Sequence, residues 1–520
     1  MGSQQSSADK DKLSVLSWNI AAVNNNPFEY WISHDDEAYN RMMEDVQAFI
    51  DNPGESDIQI CQVFTPEMFA ELKELMLAEG WDGIEETEQQ YEVNYKTRTI
   101  ISGFMKDKDI GKKRLASMPD RITNTINTVD QGIVCRPTVI NMYEQRMDSL
   151  EEWWAQWKQF FFNTTVTIKG RGGAEEKKVC AMLQPIKSSK YPAITPEEES
   201  ISIPLQTMCQ AIFDSILVHM LNTVAPGVWY DLKMQLCNAL NKRKNERTFE
   251  ILEQEYGDTD ICFLQEVAAA FVESAKSRYL GERYEILCPE KLDAKRDQNS
   301  VIMVKKGLFD QTTAEEITNQ IADQFPSNCP VADGDLYAVK IRGMDGLDYV
   351  LASFHGDTNG LATIPVVNAT HSIVWAMGHP RLIFGMDANT YEKGGVDKGL
   401  QDVTEFAQSF VGHGLTSCFG DTPNPSNYTT FNARTYLQPQ LNKAVKKEDR
   451  ALKGDINPKD FILFYKSQFT FENTGKDNTG KKGEYIEDMV FPTLQFPSDH
   501  GVLSTDLIWT NAPTEEEKST

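Results

Sequence analysis

The amino-acid sequence predicts an α/β (α+β) protein built on two mixed sheets packed face to face, with helices outside them. Three observations lead there. From residue 250 onward, segments with apolar residues at helical spacing alternate with short apolar or period-two runs that read as strands. Several of these runs are joined by tight turns such as Gly343-Met344-Asp345-Gly346, which implies antiparallel pairing. And 520 residues, 40% of them apolar, are enough for two to three domains and a large buried core.

In chain order, residues 13–20 form the first apolar strand. Residues 68–79 and 199–222 carry apolar side chains at helical spacing, and Glu151-Glu152-Trp153-Trp154-Ala155-Gln156-Trp157 opens an aromatic-rich helix. Core packing is the first reading of its three tryptophans and a recognition surface the second. Thr164-Thr165-Val166-Thr167-Ile168 alternates as a strand into a Gly-rich turn. Residues 247–256 form a helix ended by Gly257, followed by a strand over 260–267 and a helix over 268–280. A buried strand at 300–304, a helix at 313–325 and strands at 336–339 and 349–354 come next. Helices over 366–377 and 403–411 flank a strand ending at Asn389, and the last strands begin at Asp460 and Val502. The tail 511–520 is polar.

Charge and cysteine content narrow the function classes. With 51 basic against 77 acidic residues the net charge is −26, a field that repels polyanions, so strong binding to long nucleic acid is not expected. Nine cysteines without a Cys-x-x-Cys pair read as reduced thiols in a cytoplasmic setting, and give a zinc site little support. Met1-Gly2-Ser3-Gln4-Gln5-Ser6 fits an N-myristoylation pattern as well as it fits a flexible polar start over residues 1–12. With no nearby cysteine or strong polybasic run, a single acyl chain at Gly2 would give only peripheral, weak membrane association. The apolar run 211–224 is too short to span a bilayer.

The chemistry-bearing residues sit at strand ends. Trp18-Asn19 closes the first strand, Gln265-Glu266 the second, and His355 follows Ser353-Phe354. Asp387-Ala388-Asn389 follows a clean apolar strand, Asp460 opens another, and Ser498-Asp499-His500 enters the last. In this order the set resembles the endonuclease/exonuclease/phosphatase superfamily, the DNase I-like fold, over residues 13–25 and about 247–509. Two departures accompany the likeness: Met386 stands between Gly385 and Asp387, where the family usually has Gly next to Asp, and Gly356 follows His355 in place of Leu. Asp357 and Asn359 form a second Asp-x-Asn; the pair after the clean apolar strand is preferred.

The resemblance implies a four-layer α/β sandwich and a divalent-metal phosphoesterase. Glu266, with Asn19 and Asp499, would form an oxygen-rich site for Mg²⁺ or Mn²⁺. Asp387 would orient or deprotonate the attacking water, and Asn389 and His355 would donate to the phosphate. His500 would serve as base or electrostatic clamp, held by Asp460. In the family a short loop and one helix separate the Asn from the Glu, whereas Glu266 comes 247 positions after Asn19 (266 minus 19). Residues 26–243 are therefore expected to be a mainly helical insertion, a candidate protein-binding module, and 13–25 with 244–510 the discontinuous catalytic domain. A second strand-like run, Asp57-Ile58-Gln59-Ile60-Cys61-Gln62-Val63, has Val63 where a carboxylate is needed.

Substrate-side candidates are Asn299, Tyr428, Thr430 and Arg434. The basic stretch Lys443, Lys446, Lys447, Arg450 and Lys453 reads equally as a solvated helix face. The first functional reading is hydrolysis of a small or short phosphoester: an inositol phosphate, a phospholipid headgroup or a nucleotide. A nuclease or deadenylase on single-stranded nucleic acid is the second, and a catalytically weak scaffold the third.

Overall fold

The computed structural model describes residues 12–510 except 22, 116–121, 171, 294–295, 439–443, 446–447 and 449–453. The acylation candidate at Gly2, the polar tail and the basic stretch from Lys443 to Lys453 lie outside the described residues. The chain divides into two compact units: Met1–Val23, Arg243–Asn432 and Lys453–Thr520 form the first, Asn24–Lys242 and Ala433–Leu452 the second. The second unit thus takes in Ala433–Leu452, which local sequence pattern assigns to the catalytic part.

The strands of the first unit are β1 (Lys12–Asn19), β2 (Ile261–Val267), β3 (Tyr284–Leu287), β4 (Asn299–Lys305), β5 (Phe309–Glu316), β6 (Leu336–Gly343) and β7 (Asp348–His355), followed by β8 (Arg381–Asp387), β9 (Leu415–Ser417), β10 (Thr430–Asn432), β11 (Asp455–Asn457), β12 (Asp460–Tyr465), β13 (Phe469–Asp477) and β14 (Val502–Trp509). One six-stranded sheet has the order β13-β14-β1-β2-β4-β3 and the other β9-β12-β8-β7-β6-β5, with β10 and β11 as a separate pair. Each large sheet is antiparallel apart from one central parallel pair, β1 with β2 and β7 with β8. A parallel pair needs a crossover connection. The helix Thr363–Ala376 supplies it between β7 and β8.

The sheets face each other across a core of Val15, Phe263, Ile302, Leu351, Ile383, Phe464 and their neighbours. A second core lies between the outer face of the second sheet and the helices Thr363–Ala376 and Val403–Gly412, with Phe354, Val366, Phe384, Phe406 and Phe461 in it. The sheets pack closely at Gly385, where a Cβ would lie 2.5 Å from Phe263 Cβ and Cγ. The glycine that stands one position early for the family pattern therefore serves sheet-to-sheet contact.

The second unit is built around the helix Ser202–Val224, buried over most of its length. Trp153, Trp154 and Trp157, on the helix Leu150–Asn163, are buried and packed on one another, so the cluster is core. Its one fully buried ion pair joins Arg136 Nε to Asp214 Oδ2 at 2.7 Å among the described residues, with Trp157 Nε1 donating to the same oxygen at 3.1 Å. Among the described residues no single helix is long and apolar enough to cross a membrane.

Three local expectations change. Residues 313–316 extend β5 instead of opening a helix, because Glu315 and Glu316 pair with Lys340 and Val339 of β6; only Thr318–Ala322 is helical. Residues 268–280 break at Ser277 into the helices Ala269–Lys276 and Tyr279–Arg283. The run at 57–63 is a 3₁₀ turn over Ile60–Gln62, with Gln59 bridging to Thr99, and forms no strand in either large sheet.

Gly385→Ala is expected to overpack the interface with Phe263 and to destabilise the first unit by about 1–3 kcal/mol. The urea midpoint should fall with an unchanged m-value; an unshifted midpoint would mean that the sheets can part at no cost.

Candidate active site

Strand register builds half of the site. His355 on β7 is the partner of Asp387 on β8, and Asp387 is the partner of Asp460 on β12. Directly opposed residues in neighbouring strands sit roughly 4.5–5.5 Å apart at Cα, so three polar side chains line up across three strands. The parallel pair of the other sheet does the same at its own carboxyl end, where Asn19 partners Gln265 and Glu266 follows. Glu266 adopts φ +57° at the irregularity where β2 loses register with β4. A non-glycine residue in that region costs on the order of 1–3 kcal/mol and persists only where its surroundings hold it. Here Asn19 Nδ2 donates to Glu266 Oε1 at 3.3 Å and Gln298 Nε2 to Oε2 at 3.0 Å.

Asp387 is the hub. Fully buried, its Oδ2 accepts from Asn19 Nδ2 at 2.9 Å and from Asn389 Nδ2 at 3.4 Å. The Nε2 atoms of His355 and His500 lie 3.7 Å and 3.6 Å from the same oxygen, and His355 Nε2 is 3.4 Å from Glu266 Oε1. Asn389, at φ +47°, gives its backbone N–H to Asp387 Oδ1 and its Nδ2 to Gly356 O, each at 2.9 Å. The alternative pair takes no part: Asp357 accepts the backbone N–H groups of Asn359 and Ala362 and shapes the turn before the crossover helix.

The Ser-Asp-His loop is pinned to the end of β1. Ser498 Oγ donates to Asn19 O at 2.6 Å and accepts from His500 N at 3.1 Å, while Trp18 Nε1 donates to His500 O at 3.0 Å. Trp18 also stacks on Phe496 at 5.6 Å. His500 Nδ1 lies 3.0 Å from Asp460 Oδ2, an oxygen that also accepts from Thr429 Oγ1 at 2.5 Å. Burial opposes a charge on His500, but the carboxylates of Asp460, Asp387 and Asp499 outweigh it and hold the imidazole well above its ordinary range. The buried Asp460–His500 pair is best described as carboxylate and imidazolium.

Asp387, Asp460 and His500 form a buried group whose ligand-type atoms lie within 4.8 Å of one another. Beside it stand Glu266, its side chain 18% exposed, and half-buried Asp499. This set is carboxylate oxygen edged by imidazole, with no thiolate, and it suits a hard divalent cation. Asn19 turns its donor edge toward the two carboxylates, while its Oδ1 accepts from Ala21 N at 2.9 Å. Lys244, buried at the start of the helix Lys244–Gln254, adds a cation: burial lowers its ammonium to about 8 against the opposing pull of Asp499 and Glu266.

Three of the four substrate-side candidates, Asn299, Tyr428 and Thr430, lie in the first unit. Asn299 is buried and structural: Nδ2 donates to Val267 O and Asp293 O, and Oδ1 accepts from Asp293 N. Thr430 Oγ1 is engaged with Asn457 in the β10–β11 pair, and it is Thr429, one position earlier, that reaches Asp460. A shift of one residue along an extended chain reverses the side-chain direction. Tyr428 donates its hydroxyl to Glu392 at 3.1 Å. Arg434 lies in the second unit, in an ion pair with Glu29. Residues to which local pattern assigns no role are Gln298, Thr429, Lys244, Lys459 and Asp335, whose Oδ1 takes Arg296 at 2.7 Å and lies 4.0 Å from His355 Nδ1.

A raised His500 pKa has a signed consequence in the metal-free protein. The stabilisation it contributes is complete below the unfolded value of ~6.5 and is lost as pH rises through the folded value. The imidazole ¹⁵N signals of His500 are expected to titrate above ~6.5, and Asp460→Asn to bring the midpoint down. A midpoint unmoved by that substitution would remove the ion-pair description.

Comparison with known proteins gives the following. A family model described as a domain of unknown function (DUF8234) matches residues 57–234, all within the second unit. A search of curated proteins returned no match. Among solved structures, the human Nocturnin catalytic domain with bound sulfate is similar at 15% identity, over 51% of this chain and 87% of that one, with a TM-score of 0.34. An endonuclease/exonuclease/phosphatase family protein from Bacteroides thetaiotaomicron is similar at 14% identity, over 53% and 92%, with a TM-score of 0.34. Danio rerio TDP2 complexed with a single-strand DNA product is similar at 15% identity, over 51% and 90%, with a TM-score of 0.30. The first unit has two six-stranded mixed sheets face to face, helices against the outer face of the second, and a parallel pair at the centre of each, the α/β sandwich arrangement that the sequence resemblance implies.

Proposed function

We propose that the first unit is a divalent-metal-dependent hydrolase of phosphoesters. The observation that carries this reading is the convergence on Asp387 Oδ2 of Asn19, Asn389, His355 and His500, beside Glu266. Glu266 and Asp499 would hold the cation, Mg²⁺ or Mn²⁺, with Asn19 fixing Glu266 and Asp387 relative to each other. When bound, the cation supplies Lewis-acid polarisation of the phosphoryl oxygens and acidifies water.

The remaining work belongs to the chain. Asp387 Oδ2, held by the two amides, orients a water molecule and takes its proton. His355 Nε2 donates toward the phosphoryl oxygens, where charge grows in the transition state, while Asn389, whose NH₂ group is taken by Gly356 O and Asp387 Oδ2, holds the base. His500 Nε2, cationic through Asp460, places a positive charge and a proton next to the reacting centre. Thr429 and Asp460 keep the imidazole in one orientation. Burial of Asp387 and Asp460 strengthens each of these electrostatic contacts relative to water.

We favour a small or short phosphoester, such as an inositol phosphate, a phospholipid headgroup or a nucleotide, because a net charge of −26 opposes long polyanions. The nine free thiols support a reducing, cytoplasmic location. Acylation at Gly2 would add peripheral membrane attachment, and a protein partner for the second unit is a further proposal.

The test is a panel of RNA, DNA, inositol phosphates, phospholipids and nucleotides assayed with Mg²⁺ or Mn²⁺ and with chelator. Hydrolysis of small phosphoesters with loss in chelator is expected, and preference for single-stranded nucleic acid would replace the substrate assignment. Glu266→Gln should abolish turnover without unfolding the protein, and wild-type turnover by this variant would dismiss the site.

His500→Ala should cost roughly 10²–10⁴-fold in kcat/KM, as general acid–base groups do. Asp460→Asn should lower activity too, and adding it to His500→Ala should cost little more, because the acid works through the imidazole. Multiplying effects would show that the two residues act separately.

A further inference from the structure

Lys459 is a buried cation that the mechanism above leaves unused. It sits between Pro458 and Asp460, its side chain 5% exposed, and its backbone is tied into both halves of the site. Lys459 N donates to Thr429 Oγ1 at 2.9 Å, the hydroxyl that donates to Asp460, and Lys459 O accepts from Ala388 N at 2.7 Å. The ammonium has two oxygen partners, Asn389 Oδ1 and Asp455 Oδ2, each at 2.9 Å, and lies 5.3 Å from the centre of the Tyr391 ring. Burial alone would discharge it, but the charges around it, Asp455 first and Asp387 among them, hold its pKa above the usual lysine value.

A carboxamide is nearly symmetric in shape, so packing does not decide which edge faces which neighbour. Hydrogen bonding does, and an ammonium offers donors only. Lys459 therefore accepts one orientation of Asn389, oxygen toward itself, and the NH₂ group must face Gly356 O and Asp387 Oδ2, as it does. In the opposite orientation Nδ2 would meet the ammonium, and Oδ1 would meet a carbonyl and a carboxylate.

We infer that Lys459 is a positioning residue that fixes the Asn389 carboxamide with its NH₂ edge toward Asp387, and so sets the donor that holds the Asp387 carboxylate in place. This rests on the phosphoesterase reading for its catalytic consequence, but not for the orientation itself. Asp455 holds the ammonium from the other side, and Tyr391 covers it. The basic residue at the mouth of the apolar strand β12 is thus explained by the amide it faces across β8.

The experiment uses the full chain with ¹⁵N-labelled asparagine and the variant Lys459→Met, which keeps the stem and removes the donors. Lys459→Gln, which also removes the charge, replaces it if Lys459→Met does not fold. In metal-free protein the side-chain NH₂ signals of Asn389, assigned through their absence in Asn389→Ala, should shift and broaden. On a phosphoester that the wild type turns over, kcat should fall by roughly 10–100-fold, the range for supporting residues around a site, with KM little changed. In the Asn389→Ala background the same substitution should add nothing. Unchanged Asn389 signals, or multiplying losses in the double variant, would overturn the inference. If no phosphoester is turned over, the functional reading fails, and the amide signals alone decide for or against the positioning role.

Discussion

The buried carboxylate of Asp387 is the constraint on which the site depends, and strand register puts it there. Because β7 and β8 run parallel while β8 and β12 run antiparallel, the end of β8 is flanked by the end of one strand and the beginning of another. His355 and Asp460 are its register neighbours for that reason. The opposing sheet brings Asn19 across the interface to the same oxygen. Close approach of the sheets at Gly385 and Phe263, two positions before Asp387, is part of the same requirement. A slip of one residue in β8 would turn Asp387 to the other face and leave a hydrophobic side chain in its place.

A carboxylate without solvent is costly unless charge and hydrogen bonds compensate it. Asp387, Asp460, Glu266 and Asp499 share one region, and the protein places cations in it by two means. Lys244 and Lys459 bring ammonium groups from outside the acidic strand ends, while His500 becomes cationic through its contact with Asp460. The Lys459 ammonium is fixed by two oxygens at 2.9 Å, and burial takes the Lys244 ammonium down to about 8.

Much of the frame was legible because each polar residue at a strand end follows an apolar run whose period is unambiguous. Asn19, Glu266, His355 and Asp387 follow such runs, Asp460 opens one, and the structure brings the five together. Local pattern says less where a residue type has more than one way to satisfy itself. Asn299 and Thr430 spend their polar groups on the backbone, and period alone could not separate Thr429 from Thr430. Arg434 stands in the second unit because the chain leaves the first for the segment 433–452 and returns, a tertiary event with no local pattern. The strand β5 replaced a helix because pairing with β6 overrode the spacing of its apolar residues.

The supporting residues share a common reason for being hidden. Ser498, Thr429 and Lys459 each act on a residue that is remote in sequence or on the neighbouring strand, and their identity matters only through one hydrogen bond. Their chemistry is nevertheless restrictive. Ser498 must both donate to Asn19 O and accept from His500 N, which a hydroxyl can do and an ammonium cannot. Thr429 must accept from Lys459 N and Asp460 N while donating to Asp460 Oδ2. Lys459 must only donate, because a second acceptor beside Asn389 Oδ1 would leave the amide free to turn. The site's geometry is therefore held by the donor and acceptor count of Ser498, Thr429 and Lys459, so a substitution there that keeps shape but changes that count would disturb it.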